Sequence, residues 1–154
     1  MRVEYINPFV ESTMEILKET VSENVKRGEI SLKSGFTNMM GVLVIVGLAG
    51  EVSGRLIIDM SKETALHIAS KMNGETMTEM DEMVTATLNE LANMITGKAV
   101  TKLHNLGFQF DLTPPALLCG DKLRISENTD VESLVVPIEL PEGKIEINVG
   151  IKEK

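Results

Sequence analysis

The stretch from Thr78 to Gly107 constrains the fold most, because it contains no proline and keeps helical periodicity from end to end. Thr78 is the predicted N-cap, with Asp81 three residues further on, and Gly107 is the predicted residue that ends the helix. Such a helix would be about 43 Å long at 1.5 Å per residue. Its apolar stripe comprises Val84, Leu88, Leu91, Ile95, Ala99, Leu103 and Leu106. We therefore expect a central helix packed along its length against the core.

The opposite face of this helix carries a second pattern. Ala86, Glu90, Asn93 and Gly97 recur at spacings of four, three and four, on the side away from the apolar stripe. Asn and Gly are weak helix formers, and a glycine at position 97 costs about 1 kcal/mol relative to alanine. Helix stability therefore does not explain these residues, and they are candidates for a functional surface.

The rest of the chain predicts an α+β fold, a mostly antiparallel β-sheet packed with helices, in a single domain of residues 1–154. Asn7-Pro8 predicts a first helix that begins at Pro8 and runs to about Val25. Ser61 is expected to cap a short helix through Met72. Alternating or continuous apolar runs predict strands at residues 30–36, 41–48, 55–60, 108–112, 117–119, 122–125, 133–140 and 144–152. The turn-rich residues 49–54 predict that the strand at 55–60 pairs back on the strand at 41–48 as a hairpin. Residues 128–132 are expected to form a mobile loop.

Charge and composition exclude several classes of partner. The net charge is −8 and the pI is about 4.8, so nucleic acid and anionic membrane surfaces would repel the protein. The most apolar stretch, residues 42–49, is far too short to cross a bilayer. Cys119 is the only cysteine, which rules out an internal disulfide and favours a cytoplasmic location.

Most chemical motifs are absent from the sequence. His67 and His104 have no second ligand at helical spacing, so no metal site is predicted. The glycines between positions 47 and 54 lead into a strand rather than a helix, which argues against a phosphate-binding loop. The remaining candidate is the pair Glu90 and Asn93, which three-residue spacing brings side by side on a helix.

Two interpretations of this pair stay open from the residues alone, an interaction surface and a solvated helix face. Ala86 and Gly97 would leave a low, flat strip around the two polar side chains, and Met83 and Met94 would border it. A flat strip suits another macromolecule better than a small molecule.

The sequence around these residues resembles the CheX branch of the CheC/CheX/FliY family of chemotaxis phosphatases. The resemblance lies in Glu90-Leu91-Ala92-Asn93-Met94, Gly97-Lys98, Leu106-Gly107 and 111–115, which reads Asp-Leu-Thr-Pro-Pro. The upstream segments 54–58 and 61–66 match as well, so the resemblance covers nearly the whole chain. Ala86 departs from the family pattern, which often has Ser or Asp at that position, and Pro114 or Pro115 corresponds to the family's downstream proline.

The resemblance implies a protein phosphatase that hydrolyses the aspartyl phosphate of a CheY-like response regulator. It implies that Asn93 orients the attacking water and that Glu90 pairs with a lysine in the regulator's site. Mg²⁺ is expected in the regulator, with no cofactor bound by this chain. The family also pairs its sheets across a two-fold axis, so a homodimer is expected. A non-catalytic adaptor for phosphorylated regulators or flagellar-switch components is the alternative.

Overall fold

The computed structural model describes residues 3–33, 35–127 and 132–153. The elements within these ranges are α1 Val3–Thr20, β1 Lys26–Arg27, β2 Ser31–Lys33, β3 Phe36–Asn38, β4 Val42–Gly50, β5 Val52–Met60, α2 Lys62–Asn73, α3 Glu82–Asn105, β6 Phe110–Leu112, β7 Ala116–Cys119, β8 Arg124–Ser126, β9 Ser133–Leu140 and β10 Gly143–Glu153.

Eight of the described strands form one antiparallel sheet in the order β1-β9-β10-β5-β4-β6, in which β2 also pairs with β9 and β7 also pairs with β4. Strands β3 and β8 form a separate two-stranded ribbon. The predicted α+β class, a mostly antiparallel sheet with helices, is confirmed.

The middle of the sheet consists of β4, β5 and β10, which are paired over most of their length. Every second residue of these strands faces the helices, as the two-residue period of a strand requires. The tight connection between β4 and β5 depends on Gly50, whose φ of +99° favours glycine and whose missing Cβ would lie 2.6 Å from the carbonyl oxygen of Gln109. The predicted hairpin of the two strands is therefore confirmed, with a shorter turn than the sequence indicates.

Helix α3 packs against this sheet through the predicted apolar stripe. Its buried members, each at most 1% exposed, are Val84, Leu88, Leu91, Ile95, Ala99 and Leu103. Burial of a large aliphatic side chain stabilises a fold by about 1.5–3 kcal/mol, so this face holds the helix firmly in place. Leu106 does not belong to the stripe, because α3 ends before it and its side chain is 60% exposed.

A set of ion pairs joins α3 to α1, which runs antiparallel to it. The Lys98 ammonium group lies 2.8 Å from a carboxylate oxygen of Glu15, and that of Lys102 lies 2.7 Å from the other. Glu19 and Glu11 contact the same two lysines at 3.6 and 3.3 Å. Hydrogen bonds from Lys102 and Lys98 hold the pKa of Glu15 below its ordinary value. Partly exposed ion pairs of this kind contribute only about 0–1 kcal/mol each, so they link α1 to α3 on the side next to the Glu90 face and add little to the packing that positions the helix.

The sheet face away from the main core buries polar groups, which tie down the β3–β8 ribbon. At one end of the ribbon, Glu127 forms an ion pair with Arg55 and accepts a hydrogen bond of 2.7 Å from the Ser133 hydroxyl. At the other end, the backbone N–H of Met40 donates to both carboxylate oxygens of Asp59, at 3.0 and 3.1 Å. Asp59 is only 1% exposed. Buried polar contacts therefore fix the position of the ribbon.

The boundaries predicted for the first helix are wrong at both ends. Helix α1 begins at Val3 and ends at Thr20, so Pro8 lies inside it and Asn7 is not a cap. Pro8 removes one backbone hydrogen bond from the second turn of the helix. Aromatic packing in that region offsets the loss, because the ring of Tyr5 lies 4.9 Å from that of Phe108 and Phe9 is fully buried.

Two further boundaries differ from the prediction. Asp81, not Thr78, is the N-cap of α3, because its carboxylate accepts a hydrogen bond of 3.0 Å from the Val84 N–H. The predicted strand 30–36 is divided between β2 and β3, which belong to different sheets, and Gly35 between them has a φ of +76°. Residues 128–131 of the predicted mobile loop lie outside the described residues.

Asp59 gives the stability of the fold a pH dependence that can be measured. Burial raises the pKa of Asp59 to about 6, although the Met40 N–H acts in the opposite direction. Because the unfolded value is about 3.9, the folded state binds this proton more tightly. The stability from this group is therefore complete below about pH 4 and is lost as the pH rises through about 6.

We predict that Asp59→Asn removes this dependence. The free energy of unfolding of the variant, minus that of the native protein, should increase by about 2 kcal/mol from about pH 4 to about pH 7. Urea denaturation at the two pH values measures both quantities. A difference that stays constant with pH would show that Asp59 does not titrate in this range.

Candidate functional site

The position of the Glu90 face is fixed by hydrogen bonds at the N-terminal half of α3. Asp81 caps the helix, and Asn73, the last residue of α2, reaches across to it. The Asn73 side-chain amide donates to the Ala69 carbonyl and to the Thr87 hydroxyl, both at 2.8 Å. The Thr87 hydroxyl in turn donates to the carbonyl of Met83 at 2.8 Å. The end of α2 is therefore attached to α3 one turn before Glu90.

Glu90 and Asn93 both lie on the exposed face of α3, as the sequence predicts. A separation of three residues places them about 4.5 Å apart along the helix axis. Neither side chain has a hydrogen-bond or ion-pair partner in the described ranges. A carboxylate and a primary amide are thus adjacent on the surface, with all their hydrogen-bonding capacity available to another molecule.

The four residues predicted to surround this pair occupy different environments. Ala86 and Gly97 are exposed on either side of it along the helix, and Met83 is 52% exposed. Met94 is partly buried and packs against the main core, so only part of its side chain reaches the surface. Of the two methionines, Met83 is therefore the more exposed apolar neighbour of Glu90 and Asn93.

No contact within the described residues requires glycine at position 97. A Cβ built on it meets no atom within 4 Å, and its backbone is helical. The fold would therefore accept alanine here, and alanine is the better helix former. Nothing in the described structure needs the side chain to be missing. Its absence would allow another molecule to approach the helix closely at this point.

The sequence did not reveal Asn73 and Thr87 as residues that support this surface. Asn73-Gly74 indicates the end of α2, and Gly74 does adopt the left-handed conformation there, with a φ of 67°. Nothing in the spacing shows that the Asn73 side chain crosses to a second helix. Contacts between elements that are distant in the chain are not encoded in local periodicity.

The described residues contain no group of three or more His, Cys, Asp or Glu side chains placed to hold a metal ion. Within those same ranges, none of the helices is both long and apolar enough to span a membrane.

Solved structures of similar fold belong to one superfamily. A CheC-like superfamily protein from Shewanella sp. PV-4 shares 30% identity with a TM-score of 0.89, and the similarity covers 99% of both chains. The fold, with a long helix on an antiparallel sheet, is therefore that of the CheC-like superfamily.

Further comparisons identify a family within this superfamily. The family model for chemotaxis phosphatase CheX matches residues 42–139. The CheY-P phosphatase CheX of Thermotoga maritima is 28% identical over 153 residues, which are 99% of this chain and 98% of that protein. The CheX in a CheX–CheY–BeF₃–Mg²⁺ complex from Borrelia burgdorferi is 46% identical, with a TM-score of 0.85 over 99% of this chain and 100% of the other. This chain belongs to the CheX family of chemotaxis phosphatases.

We predict that Gly97→Ala stabilises the protein. The added methyl group meets open space and the helix propensity improves, so the free energy of unfolding should increase by about 0.5–1 kcal/mol. Chemical denaturation measures the change. Ala86→Gly is the matched control on the same exposed face, and it should lower the stability by a similar amount. Destabilisation by Gly97→Ala would show that position 97 is closely packed.

Proposed function

We propose that the protein hydrolyses the aspartyl phosphate of a CheY-like response regulator, using Glu90 and Asn93. One observation carries the proposal. In a chain of the CheX family, a carboxylate and an amide without internal partners stand side by side on the outer face of a rigid helix. A surface of this shape can enter the active site of a partner protein, whereas it cannot enclose a small substrate.

Asn93 is proposed to orient the attacking water. An acyl phosphate already has a good leaving group, so its hydrolysis needs an in-line nucleophile and charge neutralisation more than a strong base. A primary amide can accept a hydrogen bond from water through its oxygen and donate through its nitrogen. The Asn93 side chain has both groups available, since nothing in the described part of the chain engages them.

Glu90 is proposed to dock the helix. Its exposed carboxylate can pair with a lysine beside the phosphorylated aspartate of the regulator. This ion pair would lie one helical turn away from Asn93, and it would hold the Asn93 amide next to the phosphoryl group. Mg²⁺ is proposed to belong to the regulator, where it would neutralise the phosphoryl oxygens. The proposed compartment is the cytoplasm, consistent with the free thiol of the exposed Cys119.

Asn93→Ala tests the mechanism. The rate of dephosphorylation of a phosphorylated CheY-like regulator should fall by about 100-fold or more at saturating enzyme, because an interaction used mainly in the transition state is lost. Stability should not decrease, since alanine has the better helix propensity. The measurement is the rate of phosphate release under single-turnover conditions.

Glu90→Ala is the matched control on the same face. It should weaken binding of the regulator while it changes the free energy of unfolding by less than about 0.5 kcal/mol. Asn93→Ala should bind the regulator as the native protein does. If Asn93→Ala dephosphorylates the regulator at the native rate, the mechanism is wrong. If the native protein binds the phosphorylated regulator without accelerating phosphate loss, the protein is an adaptor.

We also propose that the protein is a homodimer. The open edge of the sheet at β2 carries Leu32, which is 63% exposed, and Phe36 in the neighbouring ribbon is 66% exposed. A second copy related by a two-fold axis would cover both. Light scattering at micromolar concentration should give twice the mass of the chain, and a monomeric mass would contradict the proposal. Leu32→Lys should shift the mass toward that of the monomer.

A further inference from the structure

A groove lies directly beside the Glu90 face, between the end of α2 and the first turns of α3. It is lined by Met72, Asn73, Met83, Ala86, Thr87 and Glu90. Glu90 is the only charged residue among the six, and it stands at the edge nearest to Asn93. The lining offers no cation, so the groove does not suit a phosphate group. Two methionines and an alanine provide an apolar surface that can adapt to the shape of a partner side chain.

The groove has a fixed width because Asn73 holds its two walls together. The hydrogen bonds from Asn73 to Ala69 and Thr87 join the last turn of α2 to the second turn of α3. Asn73 is itself exposed, so burial of an apolar group does not account for its position. Its amide instead satisfies a carbonyl at the end of α2 and sets the distance between the helices.

The groove falls inside any interface that is centred on Glu90 and Asn93. Met83 precedes Glu90 by two turns, which is about 10 Å along the helix axis. A typical protein interface buries about 800 Å² on each partner, which corresponds to a patch about 30 Å across. A partner whose active site receives Asn93 must therefore cover Met83 and the groove behind it. Much of the binding energy of an interface comes from a few side chains, often aromatic, that enter pockets of this kind.

We propose that this groove is a specificity pocket for the response regulator. It accepts an apolar side chain from a loop that borders the phosphorylated aspartate, and Asn73 is a positioning residue that keeps the groove open. The inference rests on the proposed function, since it requires Asn93 to enter the regulator's site. A flavodoxin-like regulator presents several loops around its active site at the carboxyl ends of its strands, so a neighbouring side chain is available to fill the groove.

The test uses Met83→Gln and Met72→Gln, which keep the length and helix propensity of the side chain but remove its apolar character. Each should raise the KM for the phosphorylated regulator, and the Kd for the regulator activated with beryllofluoride, by about tenfold, with kcat changed less than about twofold. The control is Leu106→Gln, which alters an exposed apolar residue just after the C-terminal end of α3, about 24 Å from Glu90 along the helix axis, and should leave KM unchanged.

The role of Asn73 is tested by Asn73→Ala and Thr87→Val, which break the same hydrogen bond from opposite sides. Each should raise KM and Kd without lowering kcat, and the double variant should be no worse than either single one. A lower melting temperature with native KM would assign Asn73 a structural role only. Native KM and Kd in both methionine variants would overturn the groove proposal and leave the proposed function standing. Binding without turnover by the native protein would overturn the proposed function, while the Kd values would still test the groove.

Discussion

The packing of α3 on the sheet is the constraint on which the rest of the structure depends. Six apolar side chains of the helix are at most 1% exposed, and they meet the strands of the central sheet. Their burial determines the rotation of the helix about its own axis, so it also determines that Glu90 and Asn93 point outward. The ion pairs of Lys98 and Lys102 with α1 and the hydrogen bond from Asn73 act on two sides of the same helix. Core packing and site geometry are therefore consequences of one interaction.

Local periodicity predicted what repeats along the chain and missed what depends on neighbours in space. Periods of 3.6 and two residues distinguish the faces of a helix and of a strand. The sequence therefore predicted the apolar stripe of α3, the outward direction of Glu90 and Asn93, and the β4–β5 hairpin. Pro8 led to a wrong start for the first helix. Proline favours the first helical position, whereas α1 begins five residues earlier, where Tyr5 packs against aromatic rings. Thr78 was predicted as the N-cap and Asp81 only as the residue three positions further on, whereas α3 begins later and Asp81 is its cap. No sequence pattern indicated the hydrogen bond from Asn73 to Thr87.

The two faces of the sheet show how differently a small domain can use burial. The face toward the helices is apolar and contributes stability directly. On the other face, Asp59 is buried and Arg55 is partly buried. Loss of water disfavours the charged form of each side chain, so burial lowers the pKa of Arg55 and raises that of Asp59. Glu127 forms an ion pair with Arg55, and the Met40 N–H donates a hydrogen bond to Asp59. These two contacts offset the cost of burial and fix the β3–β8 ribbon. Burial of these charged groups costs stability, and their contacts specify where the ribbon lies.

The lack of any Cβ contact at Gly97, together with the well-packed α3, makes the outer surface of this helix a preformed template. Its backbone is already ordered, so association has to immobilise little more than a few side chains, at about 0.5–1.5 kcal/mol each. Conformational adaptation is then left to the loops of the incoming protein. Affinity for different members of a partner family would consequently vary with the stiffness of those loops, even where every contact residue is the same.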